Sequence, residues 1–285
     1  MPPETPKVAA TQQAFFLDAG PGRTGQRYCI YRTPFAEPVR GAVLCVHPFA
    51  EEMNKVRRMA ALQSRALAAA GFAVLQIDLL GCGDSSGDFG DANWSDWLDD
   101  LELAAHWLRQ RHDSPLWWWG TRAGCLLAVH AAARLEPPAG FVFWQPATSG
   151  KPALQQFLRM KSAAALQQAG AKGTTERLRQ ALAQGQPIEV GGYVVRAELA
   201  HGLEAATLDA PLGAPVRAHW FELSNRPDAA LLPASAEALE RWRAAGHEVD
   251  AAVVPGPAFW GTAEIEEAPA LVSATCRALL GACAA

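Results

Sequence analysis

The sequence predicts an α/β fold: a mostly parallel central sheet with helices on both faces and an inserted, mainly helical cap. Three observations predict it. Short unbroken apolar runs (GAVLCVH, FAVLQID, GFVFWQ) alternate with helical stretches, as in strands buried on both faces of a sheet. The run Trp117-Trp118-Trp119-Gly120-Thr121-Arg122-Ala123-Gly124, followed by CLLAVH, reads as a buried strand, a sharp Gly-x-x-x-Gly turn and an apolar helix. The alternation then breaks over residues 147–210 and resumes afterwards.

Taken in order, residues 1–11 read as a loose tail and 14–18 with 27–31 as an antiparallel pair around the turn-rich AGPGRTGQ. A strand over 41–47 leads into the loop PFAEEMN and a helix over 55–70 closed by Gly71. A strand over 72–78 ends in LLGCGDSSGDFG, and Asn93 caps a helix over 94–111. A strand over 115–119, a helix over 122–135 and a strand over 140–145 follow. The insertion holds amphipathic stretches at 153–169 and 175–184, a hairpin over 187–195 turning at Gly191-Gly192, and a short helix over 198–207. Strands over 216–223 and 248–254 and helices over 234–245 and 265–280 complete the chain. The expected division is a core of 12–146 and 211–285 with a cap of 147–210.

Composition narrows the class. Half of the residues are hydrophobic, enough for a large core, and the net charge of -4 argues against a nucleic-acid surface. The six cysteines are scattered, with no CxxC and no metal-ligand spacing, so neither a metal nor an organic cofactor is expected. No run of about 18 apolar residues occurs, and the first residues are polar, so the expected setting is a soluble, cytoplasmic one. Several of the ten tryptophans fall near loop ends, where pockets form.

Ligands of open parallel sheets bind at the C-terminal strand ends, so the informative residues follow each strand. The Gly-x-x-x-Gly turn has the frame of a nucleophile elbow, in which a strained strand-to-helix turn lifts a nucleophile above the sheet. Its central residue is Arg122, which stays protonated and cannot serve as an ordinary acyl nucleophile. An Arg there, beside free helix N–H groups, suits a carboxylate or phosphate. A glutamate across the cleft would instead make it a structural ion pair. After the strand at 41–47 come His47, Phe49, Glu51, Glu52, Arg57 and Arg58, at the loop that supplies an oxyanion-hole N–H in elbow enzymes. Pro48 removes one donor there. Asp228 stands at the spacing of a triad acid, with Glu222 and Asn225 as other registers. In VVPGPAFWG, where a base would follow the last strand, Phe259 takes the His register beside Trp260.

These residues resemble the α/β-hydrolase superfamily over nearly the whole chain. The blocks HPFAEEMNKVRRM, DLLGCGDSSGDF, WWGTRAGCLLA, EVGGYVVRAELA and GPAFWGTAEIEEAPAL, in this order, resemble the group called hydrolase 2 of exosortase A systems. The resemblance implies a bacterial cytoplasmic protein associated with exopolysaccharide production and surface-protein sorting, and it implies the label hydrolase. The superfamily's nucleophile, acid and base map onto Arg122, Asp228 and Phe259, and two of these three cannot perform those roles.

Three functional readings follow. In the first, an atypical hydrolase or acyl-transfer enzyme holds an anionic substrate with Arg122 and His47, and Glu51 or Glu52 is the general base. Phe49, Arg57, Arg58, Glu222, Phe259 and Trp260 would line its substrate pocket. In the second, the scaffold binds an anionic or acyl small molecule, or a partner protein, without chemistry. In the third, a displaced nucleophile at Cys82, Ser85 or Ser86 performs ester hydrolysis, although no His is spaced to activate it.

Overall fold

Eight strands form one sheet, and the left-hand edge of that sheet is built first. In the computed structural model, which describes residues 11–35, 38–166 and 174–283, β1 (Gln12–Asp18) pairs antiparallel with β2 (Gln26–Arg32). The expected tail lies outside the described residues except for Thr11, as does the end of the expected helix over 153–169. β2 runs antiparallel to β4 (Phe72–Ile77). The remaining strands, β3 (Gly41–Val46), β5 (Leu116–Thr121), β6 (Gly140–Trp144), β9 (Arg217–Leu223) and β10 (Glu248–Val254), are parallel neighbours. The spatial order is β1-β2-β4-β3-β5-β6-β9-β10.

That order creates a crevice. The chain leaves β3 towards β4 and then returns across β3 to β5. The reversal opens a gap beyond the C-terminal ends of β3 and β5, the place where such sheets take ligands.

The faces are filled by alternation. Val43, Cys45, Val74, Trp117, Trp119, Trp144 and Phe221 point to one face, with α1 (Glu51–Ala69) and α8 (Pro269–Ala282). Leu44, Leu75, Trp118, Phe141, Phe143 and Trp220 point to the other, with α2 (Trp94–Arg109), α3 (Gly124–Ala132) and α7 (Pro233–Ala244). Trp97, Trp118, Trp119, Trp144, Trp220 and Trp242 are fully buried. Most tryptophans are therefore core, not pocket, residues. Each such ring buries about 150–250 Å², and at about 25 cal/mol per Å² contributes about 4–6 kcal/mol before entropy is subtracted.

Between β6 and β9 lie α4 (Gly150–Leu166), α5 (Thr174–Ala183), the hairpin β7 (Ile188–Val190) with β8 (Tyr193–Val195), and α6 (Ala197–Ala205). Gly191 and Gly192 both have positive φ, 58° and 85°, as a two-residue hairpin turn requires. The insertion is tied at its base, where Gly150 N–H donates to Ala206 O at 2.8 Å and Leu208 N–H to Thr148 O at 3.0 Å. Its Leu154, Phe157, Leu158, Leu199 and Leu203 belong to the same apolar cluster as α2 and α3.

The starts of α1 and α8 differ most from expectation. α1 begins at Glu51, four residues early, so PFAEEMN is only partly a loop. Glu51 and Glu52 occupy its first turn, where carboxylates complement the positive end of the helix dipole. α8 begins at Pro269, not near residue 265. Proline at the first helical position sacrifices no hydrogen bond.

The turn from β5 into α3 is packed against β3. A Cβ on Gly124 would lie 2.5 Å from His47 O and 2.6 Å from Val46 O, and one on Gly120 would lie 2.7 Å from Cys125 Cα. We expect Gly124→Ala to lose about 1–3 kcal/mol of stability, the usual cost of forcing atoms into a packed interior. Urea denaturation followed by tryptophan fluorescence measures it, and an unchanged midpoint would contradict the packing argument.

Candidate active site

Arg122 sits at the top of the turn with φ of 55°. A left-handed backbone at a non-glycine residue costs about 1–3 kcal/mol and persists only where surrounding bonds enforce it. Here Arg122 N–H donates to Trp144 O at 2.9 Å, and Arg122 O accepts from Cys125 N–H at 3.1 Å and Ala147 N–H at 3.2 Å. The elbow geometry is thus present, with a guanidinium where the nucleophile would stand.

The side chain is held on several sides. Arg122 Nε donates to Glu52 Oε1 at 3.3 Å, and Nη2 donates to the same oxygen at 3.2 Å. Nη2 also donates to Gln156 Oε1 at 3.0 Å, from α4 of the insertion. The Trp260 ring centroid lies 5.3 Å from the guanidinium carbon, within cation–π range. Burial pushes the Glu52 carboxyl above its ordinary value, and the charge and hydrogen bonds of Arg122 only partly offset that.

Beside this cluster lies a small cavity of about 40 Å³. Phe49, Phe157, Ala147 and Met160 supply apolar walls, and Glu51, Glu52, Arg122 and Gln156 supply polar ones. Ala123 also lines it. In elbow sites the N–H after the central residue and one from the loop after β3 point at a developing oxyanion. Ala123 and Phe49 hold those positions, and neither N–H has a hydrogen-bond partner among the described residues. Phe49 is fixed by edge-on contacts with Phe89, Trp97 and Phe157, at centroid distances of 5.5, 5.8 and 5.1 Å. Across the mouth, Glu51 Oε2 accepts from Tyr193 Oη at 3.3 Å and Asn54 Nδ2 at 3.2 Å. Burial, then Glu51, pushes the Tyr193 phenol up to about 12.

Of the residues singled out by sequence, the structure gathers Phe49, Glu51, Glu52, Arg122 and Trp260. The others lie elsewhere. Arg57 pairs with Asp78 at 3.1 Å and Arg58 with Glu267 at 2.6 Å; with α1 starting at Glu51, both are carried roughly 9–10 Å along the helix axis. His47 donates from Nδ1 to Pro48 O at 2.8 Å, its Nε2 is buried without a partner among the described residues, and burial pushes its pKa down. It does not line the cavity. Glu222 is buried and accepts from Leu232 N–H at 2.8 Å, while Asp228 is exposed and makes no contact with Arg122. Phe259 is 1% exposed and packs against Trp144 in the core. It is the next residue, Trp260, that meets the elbow.

The displaced nucleophiles are structural. The Ser85 hydroxyl donates to Asp78 O and accepts from Tyr28 N–H, and Ser86 Oγ accepts from Gln26 N–H. Cys82 is 4% exposed with its thiol pKa pushed up by burial, which makes it inert. Sequence reasoning missed Ala123, Ala147, Ala153, Gln156, Phe157 and Met160. The Leu154, Phe157, Leu158 spacing signalled only that α4 has a buried face.

Residues 37–187 match the family model described as Hydrolase_4, serine aminopeptidase, S33. Among solved structures the chain is similar to Est1E of Butyrivibrio proteoclasticus with ferulic acid bound, at 16% identity and a TM-score of 0.66, covering 95% of this chain and 100% of that one. It is also similar to a highly thermostable carboxyl esterase of Bacillus coagulans (15% identity, TM-score 0.59, 97% and 99% covered). A third likeness is to a soluble variant of monoglyceride lipase from Saccharomyces cerevisiae (13% identity, TM-score 0.58, 99% of each chain). At these identities the likeness is one of fold. No curated protein matched the sequence.

The Glu52–Arg122 pair carries a pH signature. Glu52 ionises at higher pH in the folded chain than the value of about 4.3 of an unfolded glutamate, so its contribution to stability is full below that value and declines as pH rises through the folded pKa. Removing Arg122 raises the folded pKa further. We expect the melting-temperature deficit of Arg122→Gly against the wild type to be small near about pH 4 and to widen towards about pH 8. Scanning calorimetry across that range checks it, and a deficit independent of pH would refute the electrostatic role of the pair.

Proposed function

Because the chain belongs to the serine aminopeptidase S33 family of α/β-hydrolases, we propose that it uses a hydrolase scaffold to bind an anionic acyl ligand, with no serine nucleophile. One observation carries this reading: Arg122 holds the elbow and lines a cavity together with Ala123 and Phe49, whose backbone N–H groups have no hydrogen-bond partner among the described residues. A fixed positive charge beside two free donors is a receptor for negative charge. The Trp260 ring centroid stands 5.3 Å from the elbow guanidinium, and Phe259 takes the register of the missing base. The resemblance to hydrolase 2 of exosortase A systems suggests that the ligand belongs to surface-polysaccharide or protein-sorting chemistry in the bacterial cytoplasm. The insertion acts as the cap of the site.

A second reading is favoured by the raised carboxyl of Glu52 on the cavity wall. A carboxylate of raised pKa can act as a general base on water, and oxyanion donors alone sustain a residual rate of about 10³–10⁴-fold over water in serine enzymes stripped of their triad. That would make the chain an atypical hydrolase or acyl-transfer enzyme.

The test is turnover of an acyl-ester and thioester panel by pure protein, beside Arg122→Ala and Glu51→Ala/Glu52→Ala, with labelling by a serine-directed fluorophosphonate. The binding reading expects no turnover above background, no covalent labelling, and a thermal shift with anionic acyl compounds that Arg122→Ala abolishes. Turnover lost in the glutamate variant would replace it with the second reading, and labelling of a serine would overturn both.

A further inference from the structure

The way Arg122 is satisfied in this structure says what it lacks. A guanidinium offers five N–H donors in a planar fork that matches a carboxylate through two parallel bonds, usually about 2.7–2.9 Å long. The Glu52 contact does not have that form. Nε and Nη2 both converge on one oxygen, Oε1, at 3.3 and 3.2 Å. Glu52 Oε2 and Arg122 Nη1 have no hydrogen-bond partner among the described residues. Gln156 Oε1 supplies only a neutral acceptor. The charge is therefore neutralised by a one-oxygen pair, while the two N–H groups of Nη1 have no protein partner among the described residues. Burial also disfavours the ionised form of Glu52, so the resident carboxylate is a weak competitor for the cation.

The space beside the pair sets a size. A volume of about 40 Å³ accommodates roughly three water-sized probes at about 10–15 Å³ each, comparable to a carboxylate head with a short alkyl stub. Phe49, Phe157 and Met160 supply apolar lining for that stub, and Arg122 supplies the charge for the head. α4 forms one wall of that space, and its polar hold on the elbow is the Arg122–Gln156 bond.

We propose that the site is selective for free short-chain carboxylic acids over their esters, with the Glu52 carboxylate as an internal stand-in that the ligand carboxylate displaces. The inference rests on the anion-binding reading above and narrows it. An ester has no charge to exchange for that of Glu52, so expelling the glutamate would leave Arg122 uncompensated, a strongly unfavourable outcome for a half-buried cation. A free acid replaces one carboxylate with another and gains the unused Nη1 donors. The chain would then recognise the acid that acyl-ester cleavage releases, and would stand after a reaction of that class.

Isothermal titration calorimetry with butyrate and with methyl butyrate tests this at neutral pH. Butyrate should bind and methyl butyrate should not. Arg122→Gln should weaken butyrate binding by roughly 30-fold or more, as loss of a buried charge partner does. Glu52→Gln, which removes the competitor's charge, should strengthen it several-fold. Gln156→Ala, at an exposed position of α4, should raise the association rate; it keeps the proposal testable if Glu52→Gln fails to fold. Equal binding of acid and ester, weaker binding in a folded Glu52→Gln, or no butyrate binding by wild type and Gln156→Ala would each overturn the proposal. Arg122-dependent binding of an acyl anion that is not a carboxylate, such as butyryl phosphate, with no binding of butyrate would leave the anion-binding reading standing without this selectivity, whereas ester turnover through a labelled serine would remove both.

Discussion

The molecule depends on one close approach: the turn between β5 and α3 lies against the end of β3 with no room for a Cβ at Gly120 or Gly124. This contact brings two strand ends together across the sheet's reversal point. It forces the residue between the two glycines into the left-handed backbone, and it puts that residue's side chain over the first turn of α1. The site follows from this geometry. Arg122, Ala123, Phe49 and Glu52 meet because the backbone segments that carry them have nowhere else to go. A strained backbone of this kind is stored at functional sites and supported by the packing around it. Here the support comes from Trp144 O, Cys125 and Ala147, all bound to the Arg122 main chain.

The electrostatics follow from that placement. An arginine at the start of α3 is disfavoured by the helix dipole, and Glu52, at the start of α1, is favoured by its own. Across the crevice the two compensate each other, and the insertion adds Gln156 and the aromatic contacts of Phe157 and Tyr193. The insertion is thus bound to the core by an apolar face and by polar contacts from Gln156 to Arg122 and from Tyr193 to Glu51 and Asn54.

Much of the fold was legible in the sequence because buried parallel strands are written as unbroken apolar runs and the hairpin as Gly191-Gly192. The elbow was legible because two glycines at fixed spacing mark a close approach. The start of α1 was not, since Pro48 and two adjacent acids read as loop chemistry until the helix dipole is considered. Gln156 carried no local signal at all: its partner is 34 positions away in sequence, and only tertiary packing brings them together. The tryptophans misled for a related reason. A ring beside a loop in sequence can still point into the sheet's interior, as Trp119 and Trp144 do. Asp228 was placed by counting residues along a loop, and such counting ignores which side of the loop faces solvent.

Phe259 and Trp260 likewise differ in which way their side chains turn, and the consequence concerns redesign of the site. Phe259 is walled in by Trp144 and the α8 face, while Trp260 stands beside the elbow. An imidazole introduced at 259 would enter a dry aromatic interior, far from solvent and without a proton acceptor. The ring that does reach the elbow guanidinium belongs to 260. A substitution at 259 therefore acts on the packing between the sheet and α8, and one at 260 acts on the charge at the elbow.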